Sequence, residues 1–271
     1  MYSLDMKIAD IKTIDINCDM GEWEAQEPEN SPQRKASAAE SDLGLMSFIS
    51  SCSVACGGHI GDEHSMRTTV RNAIANGVRV GAHPAYPDKR YFGRRSLDLP
   101  LDDLATALQL QISTLKTISE EEGIELAFVK PHGALYNDMA KNTLLAKTVI
   151  QAISRIDPTL PLMGLAGSDL ASHCKTQGMT FIAEAFADRR YDDNGQLVPR
   201  NIPGSTIEDV TAATAQILSI IENGSIISIT GKTIPLIADT LCVHSDTEGA
   251  LDQVAAINAL LRRYKIRVGA T

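Results

Sequence analysis

The chain has 271 residues, 44% hydrophobic but only 4% aromatic, so it can bury a large core made of aliphatic side chains rather than rings. A formal charge of −9 and a pI near 5.2 exclude a surface built for nucleic acid or anionic lipid, which needs clustered Lys and Arg to neutralise phosphate. There is no run of about 18 apolar residues, and Met1 to Lys7 lack the apolar core of a signal peptide, so the expectation is a soluble, cytoplasmic protein that handles a small molecule.

In chain order, β-branched or apolar runs predict strands at 11–16, 52–55, 78–81, 126–129, 160–164, 180–183, 226–229 and 240–243. Helical patterns lie between them at 39–50, 62–76, 101–122, 143–155, 168–176, 207–222 and 246–263. The clearest is 101–122, where Leu104, Leu108, Ile112, Leu115 and Ile118 recur at three- to four-residue spacing between Pro100 and Gly123. Residues 22–41 are rich in Glu, Ala, Ser and Pro, show no period, and predict a long first loop. Strand and helix alternate over a length that one barrel commonly fills, which predicts a single domain of parallel strands joined by right-handed crossovers. Ionisable residues follow most of the strands. That favours a closed barrel over an open sheet, where ligands gather at one switch point.

Asp19 closes the first strand, and Asn17 two residues earlier faces the same side of the pleat, so both converge on a barrel mouth. His59 follows Gly57-Gly58, a pair that admits positive φ and a close backbone approach to a ligand. Asp62 reads as the N-cap of the next helix and His64 as a solvated helix residue. His83 stands before Pro84 and a turn-rich loop whose Arg94-Arg95 pair either holds an anion bidentately or is salt-bridged in the loop. Lys130-Pro131-His132-Gly133 sets a lysine, able either to lose its proton or to supply fixed positive charge when buried, at a strand end and an imidazole two residues on that can act as base or metal ligand near neutral pH. Glu184 ends a strand with Asp188-Arg189 shortly after, offering a carboxylate for proton transfer and a guanidinium for an anionic substrate group. His244 follows the last predicted strand, while Asp246 reads as a helix cap and His173 carries no assigned role.

Cys18, Cys52, Cys56, Cys174 and Cys242 are odd in number and show no pairing framework, which predicts reduced thiols, with Cys18, Cys56 and Cys242 read as small buried hydrophobes beside the site and a nucleophilic cysteine as the alternative. Gly231-Lys232-Thr233 looks like the end of a phosphate-binding loop, but the glycine such a loop needs at 226 is Ile226, so no such loop is assigned.

Six motifs occur in a characteristic order: Asp-Ile-Asn-Cys-Asp-Met-Gly-Glu (15–22), Ala-Cys-Gly-Gly-His-Ile-Gly-Asp (55–62), Gly-Ala-His-Pro-Ala-Tyr-Pro-Asp (81–88), Lys-Pro-His-Gly-Ala-Leu-Tyr-Asn (130–137), Glu-Ala-Phe-Ala-Asp-Arg (184–189) and Cys-Val-His-Ser-Asp (242–246). On these motifs the chain resembles the LamB/YcsF family from about Asp15 to Leu251. The resemblance implies a seven-stranded, TIM-like β/α barrel of the glycoside hydrolase/deacetylase type. It also implies the activity of the A component of an ATP-dependent 5-oxoprolinase, a hydrolase that cleaves the cyclic amide 5-oxo-L-proline to L-glutamate. ATP with Mg is the implied cofactor, held with the partner subunits B and C. Carried onto this sequence, the site candidates are Asp19, His59, His83, Lys130, His132 and Glu184 for catalysis and Asn17, Asp188, Arg189 and His244 for substrate. Gly58, Ser53, Glu63, Ala85 and the 22–41 segment depart from the family pattern and bear on pocket shape.

A lactam of this size is a poor electrophile and recloses easily, so phosphorylating its amide oxygen would supply a leaving group. Arg189 is then expected on the carboxylate, His132 or His83 as base for water, and Lys130 at the developing oxyanion. Whether a divalent metal is tightly held stays open at this point. One alternative is a metal-dependent deacylase of the same superfamily, with Asp19, His59 and His132 binding the ion. Another is a non-catalytic lactam-binding subunit.

Overall fold

The computed structural model of the chain describes residues 12–24, 32–243 and 250–269. Its strands are β1 (Thr13–Met20), β2 (Ser51–Ala55), β3 (Arg79–His83), β4 (Phe128–Val129), β5 (Leu162–Leu165), β6 (Phe181–Phe186), β7 (Ser225–Ile227), β8 (Thr233–Pro235), β9 (Thr240–Val243) and β10 (Arg267–Val268). Strands β1 to β6 pair in sequence order, β9 pairs with β6, and β9 also pairs back to β1, closing a parallel barrel of seven strands. Because every strand of the barrel runs the same way, all their C-terminal ends open at one mouth.

The helices α1 (Pro32–Met46), α2 (Glu63–Asn76), α3 (Leu101–Glu121), α4 (Gly133–Met139), α5 (Thr143–Ile156), α6 (Leu170–Thr176), α7 (Val210–Asn223) and α8 (Ala250–Arg263) provide the outer layer. The barrel strands are covered on both faces, which is why β2, β5 and β9 are buried throughout and read as short continuous runs rather than alternating ones. Helix α3 shows the complementary pattern, burying Leu104, Leu108, Ile112, Leu115 and Ile118 along one stripe. Asp62 caps α2 as the sequence predicts: its side chain accepts from Ser65 N at 2.8 Å while Ser65 Oγ accepts from Asp62 N.

Two predictions need correction. Run 226–229 is not a barrel strand; β7 pairs antiparallel with β8 in a separate hairpin, with Ile226 buried and Ile227 and Ile229 more than 40% exposed. That alternation belongs to a half-buried hairpin, whereas a strand inside the barrel would be buried on both faces. Half of the predicted first loop is helical, since α1 starts at Pro32, where proline's fixed φ suits a first helical turn. Residues 25–31 of that loop lie outside the described residues, as do His244 and Asp246. Two short elements, α4 and β10, have no counterpart among the predicted ones; each is too short to show a period.

Among the described residues, no helix is long and apolar enough to cross a membrane.

Candidate active site

At the barrel mouth Lys130, which follows β4 directly, is 2% exposed and surrounded by acceptors. Its Nζ lies 2.8 Å from Asp19 Oδ1 and 2.7 Å from Glu184 Oε1, and it donates to Asn17 Oδ1 at 2.9 Å and to Cys242 Sγ at 3.4 Å. Strands β1, β6 and β9 supply these partners, so a single ammonium ties four barrel strands together. Burial alone would lower the lysine pKa, but Asp19, with Cys242 and Glu184, holds it well above the usual range. Burial likewise opposes ionisation of Asp19, yet His83 and Lys130 keep its carboxyl well below the usual carboxylate value. Lys130 is therefore a fixed positive charge at neutral pH, and not a displaceable base.

Beside this ion cluster lie three imidazoles. His83, the last residue of β3, directs Nδ1 at the Lys130 carbonyl oxygen at 2.7 Å and Nε2 at His132 Nδ1 at 2.9 Å, with Asp19 Oδ2 3.3 Å away. His132 directs Nε2 at the Phe92 carbonyl oxygen at 3.1 Å and stacks on His59 with ring centroids 3.7 Å apart. Burial pushes the His132 imidazole down to about 2 and the His59 imidazole well below its usual value. Glu22 completes the group, its Oε1 lying 3.1 Å from His59 Nε2 and 3.4 Å from His132 Nδ1.

Local backbone geometry explains how these residues meet. Phe92 takes a left-handed conformation at φ 53°, costly for a residue with a Cβ, and it turns its carbonyl toward His132. Gly133 has φ 58°, and a Cβ there would lie 2.6 Å from the Gly93 carbonyl oxygen, so the chain after His132 can pass the 92–93 turn only with glycine.

At the Gly57-Gly58 pair only Gly57 has a positive φ, at 93°. Gly58 is required for space: a Cβ there would overlap the Gln111 carboxamide, which accepts from Ala85 N at 2.9 Å and donates to Ala85 O at 3.0 Å. Two of the positions that depart from the family pattern, Gly58 and Ala85, thus meet at one side chain. Gly58→Ala should cost about 1–3 kcal/mol by displacing this buried clamp, and much less in a Gln111→Ala background. Chemical denaturation of the four proteins measures that coupling; an equal cost in both backgrounds would show that Gln111 is not the cause.

A cavity of about 510 Å³ opens above the cluster, with Asp19, His83, Lys130 and His132 on its floor and Arg94 and Arg189 among its walls. Arg189 is 7% exposed, donates through Nη2 to the Val198 carbonyl at 2.6 Å, and leaves Nε without a hydrogen-bond partner among the described residues. The loop carrying it is braced by Gln216, whose Nε2 donates to the carbonyls of Phe186 at 2.8 Å and Arg189 at 2.9 Å. Asn17 and Glu184 lie beneath Lys130, and neither they, His59 nor Asp188 line the cavity. Glu22, Tyr136 and Arg200 line it although sequence reasoning assigned them no role. The signal for Glu22 was its place in the first motif, three residues after Asp19.

All five cysteines are buried thiols outside any disulfide. Burial pushes the Cys56 thiol up to about 12 and Cys242 well above its ordinary value, so neither is a ready nucleophile.

Residues 14–271 match the LamB/YcsF family. The chain belongs to that family. This LamB/YcsF chain is 44% identical over 256 residues to the A component of the 5-oxoprolinase of Chloroflexus aggregans, covering 94% of this chain and 98% of that protein. The crystal structure of a lactam utilization protein from Thermus thermophilus superposes with a TM-score of 0.85 at 33% identity, covering 96% of this chain and all of the other. That likeness supports the barrel fold of this LamB/YcsF chain.

Proposed function

We propose that this chain is the lactam-opening subunit of an ATP-dependent 5-oxoprolinase and acts on 5-oxo-L-proline. What supports this is the polarity of one cavity, whose floor joins a buried lysine to a histidine pair and whose wall carries the buried Arg189. The guanidinium suits the ring carboxylate, and its orphaned Nε is a donor that a carboxylate oxygen would satisfy.

The chemistry follows from that placement. Nucleotide with Mg, held with the partner subunits B and C, would supply the phosphoryl group that activates the lactam carbonyl oxygen, with ADP as the leaving group. On this chain water oriented by the His83–His132 pair adds to the ring carbon, its proton passing to the ring nitrogen, and Lys130 stabilises the negative charge that develops at the floor. The ring C–N bond then breaks, and the γ-glutamyl phosphate that results is hydrolysed by a second water to glutamate and phosphate.

Calorimetric titration with 5-oxo-L-proline and with 2-pyrrolidone, which lacks the carboxylate, tests the substrate assignment. The carboxylate should contribute at least about tenfold in affinity, and Arg189→Met should erase that difference. Equal affinity for the two lactams in the unaltered chain would overturn it.

A further inference from the structure

We infer that Glu22, His59, His83 and His132 form a binding site for one first-row divalent transition metal, zinc or an ion like it. The donor pattern leads there. Nδ1 of His83 faces the Lys130 carbonyl and Nε2 of His132 faces the Phe92 carbonyl, and a carbonyl oxygen can only accept, so each of these nitrogens carries the hydrogen. In neutral rings the opposite nitrogens, His83 Nε2 and His132 Nδ1, then present bare lone pairs to each other at 2.9 Å. Two acceptors at that distance repel unless a cation lies between them.

The surroundings supply the rest of such a site. Glu22 Oε1 is 3.4 Å from His132 Nδ1 and 3.1 Å from His59 Nε2, and the four ligand atoms all lie within 4.8 Å of one another. Tetrahedral ligands at ordinary zinc bond lengths sit about 3.4 Å apart. Three imidazoles and a carboxylate are the donor class that borderline divalent ions prefer over Mg or Ca. A carbonyl holding the far N–H of a histidine is the outer support that metal-bound imidazoles usually have, and two of the three rings have it here. The ligand set differs from the alternative of Asp19, His59 and His132: Asp19 is bound up with Lys130 at 2.8 Å, and Glu22 takes the carboxylate position.

The test counts metal, so it stands or falls separately from lactam turnover. The full chain is stripped with chelator, loaded with Co²⁺ and desalted. One equivalent should be retained, with the visible absorption of four- or five-coordinate cobalt, and zinc should displace it. Glu22→Gln should weaken retention by at least about tenfold, the scale of losing even an outer partner, while His173→Ala should leave it unchanged. Failure of the unaltered chain to retain cobalt would overturn the inference, and would assign the close nitrogen pair to a protonated His83 donating toward Asp19. Retention unaffected by both Glu22→Gln and His132→Gln would overturn it as well.

Discussion

Lys130→Met should lower the folding stability of the chain by about 3–5 kcal/mol, read as a fall in the urea midpoint at unchanged slope. The ammonium holds two carboxylates, Asp19 at 2.8 Å and Glu184 at 2.7 Å, and the Glu184 side chain is wholly buried. Removing the positive charge leaves both anions facing each other in a low-dielectric floor, with the Asn17 oxygen also deprived of its donor. The methionine stem fills most of the lysine's volume, so packing contributes little to the loss. A second change isolates the electrostatic cause: Lys130→Met with Glu184→Gln should be more stable than Lys130→Met alone, because the amide removes the uncompensated buried charge. If the double variant is less stable by the sum of two independent losses, the ion cluster is not what holds these strands together.

His132→Ala should reduce glutamate formation by the assembled enzyme by roughly 10²- to 10⁴-fold while leaving assembly intact. The ring is at the centre of the site, 2.9 Å from His83, 3.4 Å from Glu22 and stacked on His59, and it lines the cavity in which the proposed reaction takes place. His132→Asn keeps a polar group at the position and should recover little of the rate, since an amide supplies no imidazole lone pair. Steady-state glutamate release at saturating ATP checks both variants, with gel filtration of the assembly as the control. Turnover within twofold of the unaltered enzyme would remove His132 from the chemistry.

Much of this architecture could be read from residue order. The strands of the barrel fall on short runs such as 52–55 and 240–243 because burial on both faces leaves no polar alternation to obscure them. The run at 226–229 carries the same β-branched signal, yet pairs in a hairpin, because composition records the preference for extended backbone and not the partner strand. Convergence of Asn17 and Asp19 followed from the two-residue pleat, and both reach Lys130.

What the sequence did not disclose is depth. Glu184 and Asn17 form a buried layer beneath Lys130, which lies with His83 and His132 at the cavity floor, a distinction that depends on barrel closure and not on spacing. Glu22 was hidden for a related reason. It follows the Gly21 turn, at φ 70°, at the start of a stretch with no period, and only the closed barrel brings it to His59 and His132.

The central claim is that lactam opening takes place on this chain, and release of glutamate and ADP from 5-oxo-L-proline and ATP tests it most directly. The comparison is between this chain alone, the proposed partner subunits B and C alone, and the reconstituted three. Turnover to glutamate only in the full mixture is the result predicted. Glutamate formation by B and C without this chain, or none in any mixture, would contradict it.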